Sequence, residues 1–182
     1  DFCLSRGLGD VYKRQSSTDS EFLEFAQQVF QLARTGDAQT LERLLQNGLP
    51  PNMSNHNGDT LLMLAAYHGH AEATSALLGA GADPDRFNDK GQTPLAGAAF
   101  KGFQPIVELL LKYEAQPSFA PPGGKTPLMF AAMFNRLDIL KVLLKHGADI
   151  NARSTEGLSA LDLARSMRAP DTVAFLEAQT VS

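Results

Sequence analysis

The chain has 182 residues, of which 43% are hydrophobic and 20% charged, and a formal net charge of −4. That is enough for one core-bearing domain or one repeat array that folds by burial, and the acidic balance, without any basic run, lacks the electrostatic footprint of a nucleic-acid binder. No apolar stretch approaches the roughly 20 residues needed to span a bilayer, and Cys3, the sole cysteine, excludes an internal disulfide or a Cys-based zinc site. A reducing, cytoplasmic setting fits this composition.

The head reads Ser5-Arg6-Gly7-Leu8-Gly9-Asp10-Val11-Tyr12-Lys13-Arg14-Gln15, which resembles the translation of a transposase adapter used in short-read sequencing libraries. The codons GAT-GTG-TAT-AAG-AGA-CAG would encode residues 10–15. Residues 1–15 are therefore expected to be adapter-derived and disordered, with 16–21 a short leader. The alternative is a genuine flexible tail. On the adapter reading, the native start and any signal ahead of it would be missing.

From residue 22 the chain repeats. Gly58, Gly91, Gly124 and Gly157 are each 33 residues apart, with no gap. Two positions later stand Thr60, Thr93, Thr126 and Ser159, and two beyond those Leu62, Leu95, Leu128 and Leu161. Alanine pairs 65–66, 98–99 and 131–132 follow in phase, then Gly69, Gly102 and Asn135, then leucine pairs 77–78, 110–111 and 143–144. Each period predicts a helix, a turn and a second helix. The Thr and Ser side chains suit an N-cap, and Pro94 and Pro127 take the first helical position, where a missing N–H is tolerated. Small alanines allow close helix approach while the leucines fill the gap between layers. Gly48, Gly81 and Gly147 mark the ends of second helices, and Pro105 opens another.

Residues 22–54 keep Ala33, Gly36, the pair Leu44 and Leu45, Gly48 and Asn52 in phase but hold Gln27-Gln28-Val29 where later units start with Thr-Pro-Leu. They read as an N-terminal capping unit. Thr18 and Glu21 are spaced as a capping box, predicting a helix start close to residue 19. Units at 55–87, 88–120 and 121–153 follow, and 154–182 forms a C-terminal cap and tail whose second helix, 171–178, is more polar.

The segments Gly91-Gln92-Thr93-Pro94-Leu95, Gly124-Lys125-Thr126-Pro127-Leu128, Ala65-Ala66-Tyr67-His68-Gly69-His70 and Lys145-His146-Gly147-Ala148-Asp149-Ile150-Asn151 resemble the ankyrin repeat family over residues 22–178. The resemblance implies an all-α solenoid of paired antiparallel helices with β-turn fingers and a groove for protein recognition. It implies a non-catalytic module of bacterial type without cofactor or metal, acting as a monomer in the cytoplasm on an unidentified protein partner and not on nucleic acid or membrane. The implied binding positions are His56, Asp59, Asp89, Lys90, Gln92 and Lys125 at the fingers, together with Asn88 and Pro121. On the first helices they are Tyr67, His68, Phe100, Lys101, Met133 and Phe134. With Phe103, the aromatic members would form a ridge of the kind that anchors interfaces, unless they are buried in packing between units.

Three departures stand out. The family histidine that ties neighbouring fingers is replaced by Met63, Ala96 and Met129, which predicts the loss of that polar tie. Glu114 stands where a glycine is expected, and the loop after it, rich in Pro and Gly, is expected to be stiffened. Phe119 within that loop is either a binding anchor or tucked beneath it.

Gly123-Gly124-Lys125-Thr126 suggests a phosphate-binding loop, but an earlier glycine and a preceding strand are both missing, so it reads as a finger tip. His68 and His70, two apart, diverge on a helix and gain no third ligand from the sequence nearby; His70 suits a structural hydrogen bond. No Ser-His-Asp or Cys-His arrangement with orienting partners is present. Two readings remain: a stand-alone adaptor or inhibitor, or the regulatory segment of a larger enzyme. The coding sequence upstream of Ser16 separates them.

Overall fold

The computed structural model describes the backbone over residues 4–180 and side chains over 20–179. Ten helices are described: α1 (Leu4–Thr35), α2 (Ala38–Gln46), α3 (Leu61–Tyr67), α4 (Ala71–Gly79), α5 (Pro94–Lys101), α6 (Gln104–Lys112), α7 (Pro127–Met133), α8 (Leu137–Lys145), α9 (Ala160–Ser166) and α10 (Pro170–Thr180). The first helix of each pair packs on the first helix of the next, from α1 through α3, α5 and α7 to α9, and the second helices form a parallel layer. The fold is thus an all-α solenoid two helices thick. Among the described residues the extended structure is a single isolated bridge, Ser54 to Thr60.

The N-terminal end departs from expectation. Helix α1 begins at Leu4, so it runs through the stretch read as adapter translation and through Thr18 and Glu21. No helix starts near residue 19. Cys3 and the side chains of the head lie outside the described residues.

Local chemistry starts the other first helices as expected. Oxygens of Thr60, Thr93, Thr126 and Ser159 accept the amides of Met63, Ala96, Met129 and Asp162 at 3.1, 3.1, 3.3 and 3.2 Å. At Ser159 a capping box is completed by Asp162, which accepts the Ser159 amide at 2.9 Å. Those hydrogen bonds, Ser159's side chain foremost, hold the Asp162 carboxyl below its usual range. Asp37 caps α2 in the same way, accepting from Thr40 at 3.0 Å.

The core is built from the periodic positions. Ala65, Ala66, Ala98, Ala99, Ala131 and Ala132 are fully buried, as are Leu77, Leu110 and Leu143. The missing methyl groups let successive first helices approach, and the leucines occupy the space between the two layers. Glu114 has φ 65°, so the left-handed turn ending α6 is made by a side chain that resists it.

Three sets of polar ties run between repeats. In the loops, Asn52, Asp85 and Ser118 accept the amides of Asp83, Gln116 and Asp149 at 2.8, 3.0 and 2.7 Å. At the turns, the Nε2–H of His70 donates to the Arg34 carbonyl at 2.7 Å. Farther along, Asn135, left-handed at φ 55°, accepts the amides of Asp171 and Thr172 at 3.0 and 3.1 Å. At the fingers, the expected loss of a polar tie does not occur. Met63 and Met129 are buried, and the buried Asn88 takes over: its Nδ2 donates to Asp59 of the preceding finger at 2.7 Å, while its Oδ1 accepts the amides of Lys90 and Gln92 at 3.0 Å each.

Two substitutions test this packing. Leu110→Ala should cost about 2–5 kcal/mol through lost transfer energy and a residual cavity; a urea melt showing less than about 1 kcal/mol contradicts the core assignment. Asn88→Ala leaves the finger amides and Asp59 without their partner and should cost about 1–3 kcal/mol in the same measurement, whereas an unchanged midpoint would mean the finger tie contributes nothing.

Candidate protein-binding site

The C-terminal ends of α3, α5 and α7 place successive aromatic rings side by side. Tyr67 stacks on Phe100 with centroids 6.3 Å apart and an interplanar angle of 12°. Phe100 meets Phe134 edge-to-face at 4.5 Å and 87°, and Phe130 at 6.4 Å and 78°. Such pairs contribute about 0.5–1.5 kcal/mol each beyond area burial. All four rings, with Met133, are half-buried, so inter-repeat packing holds them while a face stays open. The Tyr67 ring lies beside Gly97, where a Cβ would sit at van der Waals distance, 3.4 Å from Cδ2.

Phe130 was not legible as a ridge member. It occupies the phase of Leu64 and Gly97, a position that reads as core, and its role shows only in its edge contact with Phe100. Conversely, Phe103 does not belong to the ridge. It precedes α6 at the turn and lies over Gly69, where a Cβ would meet its Cζ at 2.9 Å. The same phase holds His70 over Gly36 and Arg136 over Gly102, so this turn position covers the turn of the preceding repeat.

Lys101 is exposed, with Nζ 5.1 Å from the Tyr67 centroid in a cation–π arrangement. His68 is also open to solvent at one edge; its ring lies 5.6 Å from Tyr67 and 6.4 Å from His70. Desolvation first, then the neighbouring His70, Arg34 and Lys101 side chains, lower its pKa.

The fingers divide into held and free groups. His56, Asp89, Lys90 and Gln92 are exposed and Lys125 is half-buried. Asp59 is not a free tip: it accepts from Asn55 at 3.2 Å and from Asn88. Asn88 and Pro121 are buried, so neither is presented. Phe119 is half-buried, its ring 6.2 Å from that of Phe87 in the preceding repeat. Thr126 of the glycine-lysine segment is the cap of α7, as a finger tip requires. Among the described residues no group of three or more His, Cys, Asp or Glu is arranged to hold a metal, and no helix is long and apolar enough to cross a membrane.

Stacked helix pairs, β-turn fingers and an open aromatic face define a repeat solenoid built for contact along its length. A family model described as ankyrin repeats in three copies matches residues 29–120, and another, of many copies, matches 110–164. The chain belongs to the ankyrin repeat family, whose repeats generally serve protein–protein interaction. A curated ankyrin repeat protein of Pseudomonas aeruginosa is 65% identical over 52 residues, a stretch covering 29% of this chain and 30% of that relative. The match therefore spans about a third of the relative's length.

The shift at His68 gives a pH signature. Its folded pKa lies below the ordinary 6.5, so folding favours the neutral ring. The associated stability is present above that value and is lost as pH falls through it toward the folded pKa. An NMR titration of the His68 ring should give a midpoint under 6.5; a midpoint at or above it contradicts the desolvation, and the charges behind it, described here.

Proposed function

We propose that this chain is a non-catalytic recognition module, an adaptor, scaffold or inhibitor, that grips a protein partner along the ridge of Tyr67, Phe100, Met133 and Phe134. The observation that carries the reading is the ring-on-ring continuity across three repeats with one face left open. Large, half-exposed aromatic rings held rigid by their neighbours are the groups that dominate interface energetics, and a preformed surface limits the entropy lost on docking. Phe130 extends the ridge. Lys101 and His68 flank it, and His56, Asp89, Lys90, Gln92 and Lys125 supply polar contacts at its edge.

In this reading the module is a cytoplasmic monomer that needs no cofactor and addresses protein, not nucleic acid or membrane. The acidic composition and the absence of a nucleophile held by orienting partners support it. Pull-down from the native source with the chain and with a Phe100→Ala, Phe134→Ala variant tests it. Partners should be recovered by the first and depleted at least tenfold with the second; equal recovery shows that the ridge is not the site.

A further inference from the structure

The ridge is bordered by cations that carry no partner charge. Arg34 and Lys101 lie at the C-terminal ends of α1 and α5, on either side of two imidazoles: His70 is hydrogen-bonded to the Arg34 carbonyl, His68 lies 6.4 Å from His70 and 5.6 Å from Tyr67, and the Lys101 Nζ is 5.1 Å from the Tyr67 centroid. The ion pairs found among the described residues, Arg153 with Asp162 and Arg165 with Glu177, are elsewhere. Neither Arg34 nor Lys101 meets a carboxylate there. In a chain with net charge −4 this local excess is not a consequence of composition.

The cluster also joins two apolar surfaces. On one side is the ridge. On the other, Arg34 lines a groove of about 450 Å³ between α1 and the first finger, walled by Phe22, Leu23, Phe30 and Met53, with Phe22 63% and Leu23 59% exposed. Resting on the reading of the ridge as the grip, we propose that the partner presents an acidic segment carrying apolar or aromatic anchors. Its carboxylates meet Arg34 and Lys101, and its anchors lie on the Tyr67–Phe100 rings and in the groove beside Arg34. Charge complementarity sets this choice. A basic segment would face unpaired cations, whereas an acidic one supplies the missing counter-charges and shares the Tyr67 ring's partner, Lys101.

The probe is a random dodecapeptide library displayed on phage and selected on the immobilised full chain, with the enriched peptides then measured by fluorescence anisotropy. Enriched sequences should combine Asp or Glu with aromatic or aliphatic residues, and binding should weaken as salt rises. Lys101→Glu, exposed and confirmed folded by circular dichroism, should weaken binding about tenfold or more, and Lys101→Gln by an intermediate factor. Phe100→Ala should weaken it too. If Phe100→Ala weakens binding and Lys101→Glu does not, the ridge stands and the acidic partner is overturned. If neither matters, both readings fall. Enrichment of peptides without acidic residues, or of none, also overturns the proposal, as does an oligonucleotide that binds more tightly than the peptides and is lost in Lys101→Glu.

Discussion

No helix pair in this chain can bury its own apolar face; each is completed by its neighbours. The fully buried alanines at 65–66, 98–99 and 131–132 express that constraint most directly, because a larger side chain at any of them would hold successive first helices apart. The 33-residue period is therefore a packing requirement before it is a sequence pattern. The ties at the loops, turns and fingers follow from it. Once the alanines set the spacing, the same position in each repeat faces the same backbone group in the next.

The ridge depends on that spacing too. Tyr67, Phe100 and Phe134 make ring contacts because their helices are stacked in register. Binding and folding therefore share atoms: the buried faces of the rings help hold adjacent repeats together, while the open faces remain for a partner. Such a surface is rigid when free, which favours docking without reordering.

Helix pairs, caps and the alanine and leucine core were legible in the sequence because each rests on local chemistry repeated three or four times. Thr93 with Pro94 signals a helix start whatever lies elsewhere in the chain. Contacts between repeats were less so. Asn88 read as a finger tip, and only the position of Asp59 on the preceding finger shows it to be a buried tie. Phe103 read as a ridge member because residue type was visible and direction was not; its place at the turn aims it at Gly69. The cationic border was hidden for a similar reason, since Arg34 and Lys101 are far apart in sequence and come together around His68 only when α1, α3 and α5 stack. The start of α1 escaped because a capping-box spacing does not stop a helix that continues through it.

Hydrogen exchange of the full chain, with and without a bound protein segment, tests the central claim that the first-helix face is the grip. The account predicts slowed exchange at 67–70, 100–103 and 133–136 and in the fingers at 55–59 and 88–92, with α4, α6 and α8 unchanged. Protection confined to α4, α6 and α8 would place the partner on the opposite layer and contradict it.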